Sequence, residues 1–387
     1  MKRSNREQLR VTHVAHTAER GGAELALLKV LNDPARDWSA SVVLPRGERG
    51  VFSNLREDTT VAESGAKQPP GASGAGLNAA LSFAWKLVKQ AARLRVNREF
   101  RRSDVVHANS TRAAVYSAIA CFTSRKPLVV HLRDRIEPEA IGKFGFVAFK
   151  RIVLPRATAF IANSDATAET VRRYVRSGQI VEVIPSPVGV ARAREVPLAP
   201  PGRVRVGMVA RLDPWKGQAE LLEAFARANV EEQAELVFIG DAAFGHQDYE
   251  KKLRQLAADL GVERVTFAGF RSDVQAAVDA LDVCVQYSTR PEPLGQNVLQ
   301  YLARARATIV AAEGGPLEWV VHRRNGLVVP PRDVASLATA LRELVLDADQ
   351  RNELSRGAIE DERLPTDSEI CAAHGDVFKR AAAIGEQ

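Results

Sequence analysis

The pattern of apolar and polar positions along the chain predicts two successive series of strands separated by helices. The first series opens with the apolar run Val11–Ala15, a glycine turn at Gly21 and Gly22, and an amphipathic helix from Ala23 to about Leu31. Helical stretches separate most of the later strands, as a parallel sheet requires. Those strands are predicted at Ala40–Leu44, Val105–His107, Pro127–His131, Ala159–Asn163 and Val181–Pro185.

The second series begins at Val204–Val209, whose nearly continuous apolar character predicts a strand buried on both faces. Helices are predicted at Gln218–Ala228 and Gln296–Ala303, and a terminal helix at about Ser368–Ala383. The remaining strands are predicted at Ala234–Ile239, Arg264–Ala268, Asp282–Gln286 and Thr308–Ala312.

A proline-rich segment, Pro185–Arg203, separates the two series. We predict an α/β protein with a Rossmann-like domain at 1–190, a linker at 191–203, a second Rossmann-like domain at 204–365 and a helix at 366–387, for which packing back on the first domain is one arrangement. Residues 63–76, rich in glycine and proline towards their end, are predicted to form a mobile surface loop. Because such sheets bind ligands at the carboxyl ends of their strands, we expect the site in a cleft between the domains.

The composition is that of a globular protein in a reducing compartment. Hydrophobic residues make up 45% of the 387 residues and charged residues 26%. Three widely separated cysteines argue against disulfides or structural zinc. The first ten residues are polar, and the longest apolar stretch, near Ala113–Phe122, is about half of a membrane span. We therefore expect a cytoplasmic protein.

Charge is distributed unevenly between the two halves. Residues 1–190 carry 30 Lys and Arg against 17 Asp and Glu, whereas the remainder carries 24 against 30. Either the first half has a solvated basic surface, or it meets an anionic membrane, a lipid phosphate or an acidic acceptor. No nucleic-acid-binding module accompanies the charge, so a nucleic-acid partner is not expected.

One predicted helix in the first half, within Leu77–Arg102, bears on this choice. It is either an ordinary surface helix or a site of peripheral attachment to anionic lipid at the inner face of the membrane. Its predicted apolar face comprises Leu77, Leu81, Ala84, Val88 and Ala91, with Lys86, Lys89 and Arg93 turned away.

The strongest chemical signal lies in the second half. Glu292 follows a predicted strand, and Gly295 precedes a helix whose start offers unpaired N–H groups and a positive dipole end to a phosphate. Arg211 and Lys216 lie in the loop after the first strand of the same half. Two cations there can neutralise a departing diphosphate.

These residues, in this order, resemble the retaining glycosyltransferases of family 4, which have the GT-B fold. The resemblance extends from about Val11 to Leu344. It rests on Arg211 followed by Lys216-Gly217, on Glu292 followed by Leu294-Gly295, on the Gly314-Gly315-Pro316-Leu317-Glu318 run, on Gly21-Gly22-Ala23-Glu24, and on the stretches Asp104–Ser110, Val129–Asp134 and Ile161–Ser164.

The resemblance implies a role for each matched position. Arg211 and Lys216 would hold the diphosphate, Glu292 the hydroxyls of the transferred sugar, and the loop with Phe270 and Arg271 the nucleobase. His131 would lie over the transferred sugar, although a buried histidine is the alternative. Apart from the resemblance, Arg133 and Asp134 are candidates for contact with the acceptor, where Asp134 either attracts a cationic acceptor or is an ordinary loop acid. Further donor contacts are implied for Gly22, which would press on the diphosphate, and for Leu294, Gly295, Gln296, Asn297, Val298 and Gln300.

Three places depart from the family pattern, of which Ser186-Pro187, in place of the common Asn-Gly pair, says little about the chemistry. Gln300 replaces the second glutamate, which usually accepts hydrogen bonds from the ribose, so it keeps one carbonyl acceptor but loses the charge. Leu294 replaces an aromatic residue.

The function implied is transfer of a hexose or N-acetylhexosamine, with retention, from a nucleotide-diphosphate sugar to an acceptor hydroxyl. UDP is the expected nucleotide. The acceptor is either a soluble secondary-metabolite core such as an aminocyclitol or a glycolipid or polysaccharide precursor. No DxD-like motif is present where a metal-dependent enzyme would need one, so neither a metal nor another cofactor is expected. The alternatives are a non-catalytic sugar-nucleotide-binding protein and a nucleotide-sugar 2-epimerase, whereas a nicotinamide dehydrogenase would need a GxGxxG motif that neither half has.

Overall fold

A computed structural model of the chain describes residues 8–47, 49–67, 77–197, 202–242 and 248–385. The chain divides into two compact units, Met1–Pro187 with Thr366–Gln387, and Val188–Pro365. The division after Pro187 falls three residues before the predicted end of the first domain, and the described linker residues 191–197 belong to the second unit. Residues 68–76 of the predicted loop and 198–201 of the predicted linker lie outside the described residues.

Seven strands form one parallel sheet among the described residues of the first unit. Their order across the sheet is β3-β2-β1-β4-β5-β6-β7. The strands are β1 Arg10–Val14, β2 Ser39–Leu44, β3 Thr60–Glu63, β4 Val105–Ala108, β5 Leu128–Leu132, β6 Ala159–Ala162 and β7 Ile180–Val183.

In the described part of the second unit, six strands form another parallel sheet, in the order β10-β9-β8-β11-β12-β13. The strand order reverses between β1 and β4 in the first sheet and between β8 and β11 in the second. The strands are β8 Val204–Val209, β9 Ala234–Ile239, β10 Val265–Phe267, β11 Val283–Gln286, β12 Ala307–Ala311 and β13 Leu327–Val329.

Helices connect the strands in both units. In chain order they are α1 Gly22–Asn32, α2 Leu77–Val96, α3 Arg98–Arg102, α4 Thr111–Cys121, α5 Pro138–Ala148, α6 Asp165–Arg172, α7 Gln218–Ala228, α8 Tyr249–Asp259, α9 Val274–Asp279, α10 Gln296–Ala303, α11 Val334–Leu346, α12 Ala348–Ile359 and α13 Asp367–Gly385.

The strongly apolar strands lie at the sheet centres. Every residue of β4, β5 and β6 is buried, because helices cover a parallel sheet on both faces. Strands β3 and β13 were not predicted from the sequence. Each is short, and β3 is no more than half-buried, so it lacks the apolar run that identifies a buried strand.

The predicted apolar face of α2 is wrong for two of its members. Ala84 and Val88 are exposed, whereas Leu87, Ala91 and Leu94 are buried against the first unit. The side chains of Leu77 and Leu81 lie outside the described residues. The helix also ends at Val96, because Asn97 begins a new helix by accepting hydrogen bonds from the backbone N–H groups of Glu99 and Phe100.

The last helix, α13, belongs to the first unit. Its buried residues Ile370, Val377 and Phe378 pack with Val11 and Trp38 in one hydrophobic cluster. The three cysteines, Cys121, Cys284 and Cys371, are free and buried. Among the described residues, none of the helices combines the length and apolar composition that crossing a bilayer requires.

Candidate functional site

The loop after β8 in the second unit carries both predicted cations. Asp213 caps the short helical turn Pro214–Lys216 and accepts a hydrogen bond from Arg211 Nη2 at 2.8 Å, which orients the guanidinium. Gly217 then begins α7 with a φ of 85°. A Cβ at Gly217 would lie 1.8 Å from the carbonyl oxygen of Tyr287, so only glycine lets this loop approach β11 so closely.

The loop after β11 carries Glu292 and lies on the other side of the point where the strand order reverses. Glu292 forms an isolated bridge with Gly314, and the N–H of Gly315 donates to the Glu292 carbonyl at 2.9 Å. A Cβ at Gly314 would lie 2.4 Å from that carbonyl oxygen. The paired glycines therefore hold the backbone of Glu292, which explains in physical terms why the two motifs occur together.

An ion pair joins the two loops. Lys216 Nζ lies 2.8 Å from Glu292 Oε2 and 3.0 Å from Oε1, and Ser288 Oγ donates to Oε2 at 2.7 Å. Lys216 Nζ also lies 3.9 Å from the centre of the Trp215 ring, and the Arg290 guanidinium lies 4.2 Å from it. Glu292 is only 9% exposed, so the carboxylate and the ammonium meet where water screens them weakly.

Helix α10 begins shortly after Glu292 in sequence, and no side chain caps its N-terminus. Gly295 precedes it with a φ of 75°. The N–H of Val298 bonds to the Gly295 carbonyl at 2.8 Å, so this amide is already used within the helix. The side chain of Asn297 donates to the Val209 carbonyl at 3.3 Å and so ties the helix to the end of β8. Gln296 follows Gly295 as the first residue of the helix.

Two predicted donor residues have their side chains in the interior. Leu294 packs in a buried cluster with Val188 and Leu299. Gln300 is buried, and its Nε2 donates to the Val188 carbonyl at 3.1 Å. The amide group must face that carbonyl through its nitrogen, because two oxygens would repel each other. An ionised glutamate has no proton for this bond, so the departure from the family pattern has a structural consequence. A ribose contact by Gln300 stays a prediction.

The predicted nucleobase loop follows β10. Its backbone is fixed to the loop after β9, since the N–H of Phe270 donates to Asp241 Oδ1 at 2.7 Å and the Gly269 carbonyl accepts from Gly240 at 2.9 Å. Phe270 is 40% exposed, and Arg271 is exposed. An aromatic ring with an open face suits a stacked base.

In the first unit, Gly22 is exposed at the start of α1. Asn109, just after β4, links this helix start to Arg133. Its Nδ2 donates to the Ala23 carbonyl at 3.1 Å, and its Oδ1 accepts from Arg133 Nη2 at 2.8 Å. The other terminal nitrogen of Arg133 donates to Ser186 at 3.0 Å.

Arg133 and Glu24 are both buried near this helix start. Burial lowers the pKa of the Arg133 guanidinium to about 10, and burial raises the pKa of the Glu24 carboxyl to about 7. Asp134, the residue after Arg133, is exposed. Arg133 and Asp134 were predicted from the sequence as acceptor contacts, and that role stays a prediction. The sequence gave no sign that Asn109 connects Arg133 to the glycine turn.

His131 lies inside the first unit. Its ring packs 5.6 Å from the ring of His107 and 5.4 Å from that of His374, measured between centres. Neither ring nitrogen has a hydrogen-bond partner within the part of the chain that the structure describes, and burial holds its pKa well below the usual value. The alternative of a buried histidine describes this placement, and a role over the transferred sugar stays a prediction.

Both parts of the chain match models of known protein families. A family model described as Glycosyltransferase Family 4 matches residues 9–192, and one described as Glycosyl transferases group 1 matches residues 190–361. The structure of Anabaena HepE in complex with UDP and glucose superposes with a TM-score of 0.79 at 27% identity, covering 96% of this chain and 99% of that one.

Two curated relatives match smaller parts. A lipopolysaccharide core biosynthesis glycosyltransferase of Rhizobium meliloti is 33% identical over 36% of this chain and 39% of its own length. The 2-deoxystreptamine N-acetyl-D-glucosaminyltransferase of Streptomyces fradiae is 29% identical over 59% and 55%. The chain thus spans less than two thirds of either relative. With both halves matched by models and the fold shared over nearly its whole length, the chain belongs to the family-4 glycosyltransferases of GT-B fold.

Proposed function

We propose that the chain transfers a hexose or N-acetylhexosamine, with retention of configuration, from a UDP-linked sugar to an acceptor hydroxyl. The observation that carries the proposal is the ion pair between Lys216 and Glu292. It joins the two loops that flank the reversal of strand order in the second sheet. In parallel α/β sheets that reversal is where ligands bind. Family membership and the UDP and glucose bound by HepE support the choice of chemistry.

In this proposal each group has a separate task. Arg211 and Lys216 neutralise the diphosphate as it leaves, and Glu292 binds hydroxyls of the sugar. The start of α10, with Gly295 and Gln296, adds N–H groups and the positive end of the helix dipole. Because two side-chain cations supply the charge, transfer needs no metal ion, and we expect full activity in excess EDTA.

A screen of nucleotides tests the donor. We expect UDP to raise the melting temperature more than GDP, ADP or TDP at equal concentration. At a hundred times its dissociation constant a ligand adds about 2.7 kcal/mol of stability. Failure of every nucleoside diphosphate to bind would remove the basis of the proposal, and binding without even slow hydrolysis of any UDP-sugar would favour a non-catalytic binding protein. Nuclear magnetic resonance of the product's anomeric proton decides between retention and inversion.

The acceptor belongs to one of two classes. The relatives named for 2-deoxystreptamine and for the lipopolysaccharide core exemplify a soluble aminocyclitol and a lipid-linked glycan, respectively. The outer side of α2 favours the second. It exposes 60% of Trp85, 44% of Val88 and 73% of Val96. Lys86, Lys89 and Arg93 are exposed on the same helix, and residues 77–98 include no Asp or Glu.

We infer that this side of α2 attaches to anionic lipid, because a tryptophan among lysines suits the boundary between headgroups and acyl chains. The test is flotation with phosphatidylglycerol-containing vesicles at low and high salt. Trp85→Ser should weaken binding severalfold, whereas Leu346→Ser, which removes another largely exposed apolar residue from the second unit, should not. Equal flotation of wild type and Trp85→Ser would contradict the role given to this side of α2, and failure of the wild type to float at low salt would point to the soluble acceptor.

A further inference from the structure

A short series of hydrogen bonds holds the Glu292 carboxylate from the end of β11. Gln286 Nε2 donates to Ser288 Oγ at 2.8 Å, and Ser288 Oγ donates to Glu292 Oε2 at 2.7 Å. Gln286 is 3% exposed and Ser288 is 2% exposed. Neither residue was singled out from the sequence, and the proposed function does not use either.

The direction of these bonds is fixed by the number of protons available. The Ser288 hydroxyl has one proton, and the carboxylate can only accept. Gln286 must therefore present its NH₂ group to Ser288, which leaves its Oε1 on the other side. That oxygen is buried and has no hydrogen-bond partner in the described ranges. A buried amide oxygen without a partner is costly. The same arrangement directs the Ser288 proton to Glu292.

Lys216 and Ser288 act on Glu292 under different conditions. Lys216 Nζ contacts both carboxylate oxygens, yet the same ammonium is one of the two cations that the proposed function gives to the diphosphate. An anion that attracts Lys216 weakens its hold on Glu292. Ser288 carries no charge and is held by Gln286, so its bond to Oε2 does not change when the anion arrives.

We propose that Ser288 is a positioning residue, which keeps the Glu292 carboxylate oriented towards the sugar once the diphosphate has engaged Lys216. This inference rests on the proposed function. It implies that losing the Ser288 hydroxyl harms recognition of the sugar and leaves recognition of the nucleotide unchanged.

The experiment compares the binding of UDP with that of UDP-glucose by calorimetry, alongside hydrolysis of UDP-glucose, in wild type, Ser288→Ala and Ser288→Thr. We expect Ser288→Ala to bind UDP within twofold of wild type but to lose at least about tenfold in kcat/KM for UDP-glucose, since a hydrogen bond to a charged group is lost. Ser288→Thr keeps the hydroxyl and should retain most of that activity. Ser355→Ala, which truncates a buried serine of α12 in the same unit, is the matched control and should leave both measurements unchanged.

Denaturant unfolding separates positioning from folding. If Ser288→Thr is destabilised by its extra methyl group, Gln286→Leu replaces it. That variant keeps the Ser288 hydroxyl but removes the group that orients it, and a smaller loss confined to UDP-glucose is expected. An unchanged Ser288→Ala overturns the inference, and so does an equal loss for UDP and UDP-glucose. If wild type itself binds no UDP, the proposed function fails first, so the two failures are distinguishable.

Discussion

At the scale of single residues, Lys216 is the side chain on which the proposed chemistry depends most. It pairs with Glu292 and lies over the Trp215 ring, and its side chain keeps 20% exposure. The Lys216 ammonium therefore lies near the surface, and the buried Glu292 carboxylate fixes its position. A flexible lysine is thereby held for an anionic ligand without being fully enclosed.

Lys216→Ala should lower turnover at least about a hundredfold, because removing a group that stabilises developing charge costs about 3 kcal/mol in the transition state. The measurement is steady-state kcat on purified protein whose circular dichroism matches wild type. Lys251→Ala, an exposed lysine of α8, is the control. Turnover near that of wild type in Lys216→Ala would contradict the role given to this residue.

Residue identity along the sequence was enough to predict that Lys216 and Glu292 lie together, because each follows the end of a strand. It was not enough for Ser288 or Asn109. Asn109 acts through hydrogen bonds to Ala23 and Arg133, which are distant in sequence. Ser288 bonds to residues close in sequence, but serines are common in loops and the sequence does not show which of them contacts a carboxylate. The interior positions of Leu294 and Gln300 were also beyond prediction, since they depend on which face of α10 the Val188 segment covers.

At the scale of elements, the tight contact between the loop after β8 and the loop after β11 depends on Gly217. Its φ is 85°, and a Cβ would meet the Tyr287 carbonyl. Gly261, at the end of α8, has a similar φ of 71° but open space around it. The pair allows the effect of backbone strain to be separated from that of the clash.

Gly261→Ala should lower the free energy of unfolding by about 1 to 2 kcal/mol, the usual cost of a left-handed conformation for a residue with a Cβ. Gly217→Ala should cost about 2 kcal/mol more, because the β11 backbone must also move. Urea unfolding measures both. Equal losses in the two variants would show that the contact with Tyr287 is easily relaxed.

Element type and order were predictable because parallel sheets covered on both faces require apolar strands separated by helices. Strands β8 and β9 and helices α7 and α10 have the predicted bounds. The face of α2 was not predictable, because Ala84 and Val88 are apolar residues on the solvent side and mislead any assignment based on hydrophobicity.

At the scale of the whole molecule, buried histidines join the first sheet to the last helix. Trp38 Nε1 donates to His13 Nε2 at 3.1 Å, and the Nδ1 atoms of His13 and His107 lie 2.9 Å apart. On α13, His374 Nδ1 bonds to the Ile370 carbonyl at 2.7 Å. His13 must be neutral here, since protonated Nε2 would face the Trp38 N–H.

Burial, assisted by the Arg36 and His374 charges, lowers the pKa of His13 to about 3. The unfolded value is about 6.5, so the unfolded state binds more protons below that pH and stability falls as the solution is acidified. From pH 7.5 to pH 5 the loss from His13 is about 2 kcal/mol. In His13→Gln, the free energy of unfolding, measured by hydrogen exchange of the β1 amides, should fall by about 2 kcal/mol less over the same pH range. Glu24, with its raised pKa, stabilises the protein as the pH falls. This contribution is the same in wild type and His13→Gln, so it cancels in the comparison. An identical decline in both would refute the assignment.

The path of the chain through its units has a consequence for biosynthesis. The polypeptide leaves the first unit after Pro187 and returns to it only at Thr366, where α13 supplies Phe378 and His374 to the face formed by β1, β4 and β5. A ribosome must therefore complete the entire second unit before the first can close its hydrophobic face. Folding during translation usually proceeds from the N-terminus, but here the C-terminal unit can finish first. Nascent chains arrested before residue 366 should need chaperone protection for a strand face that the finished protein never exposes.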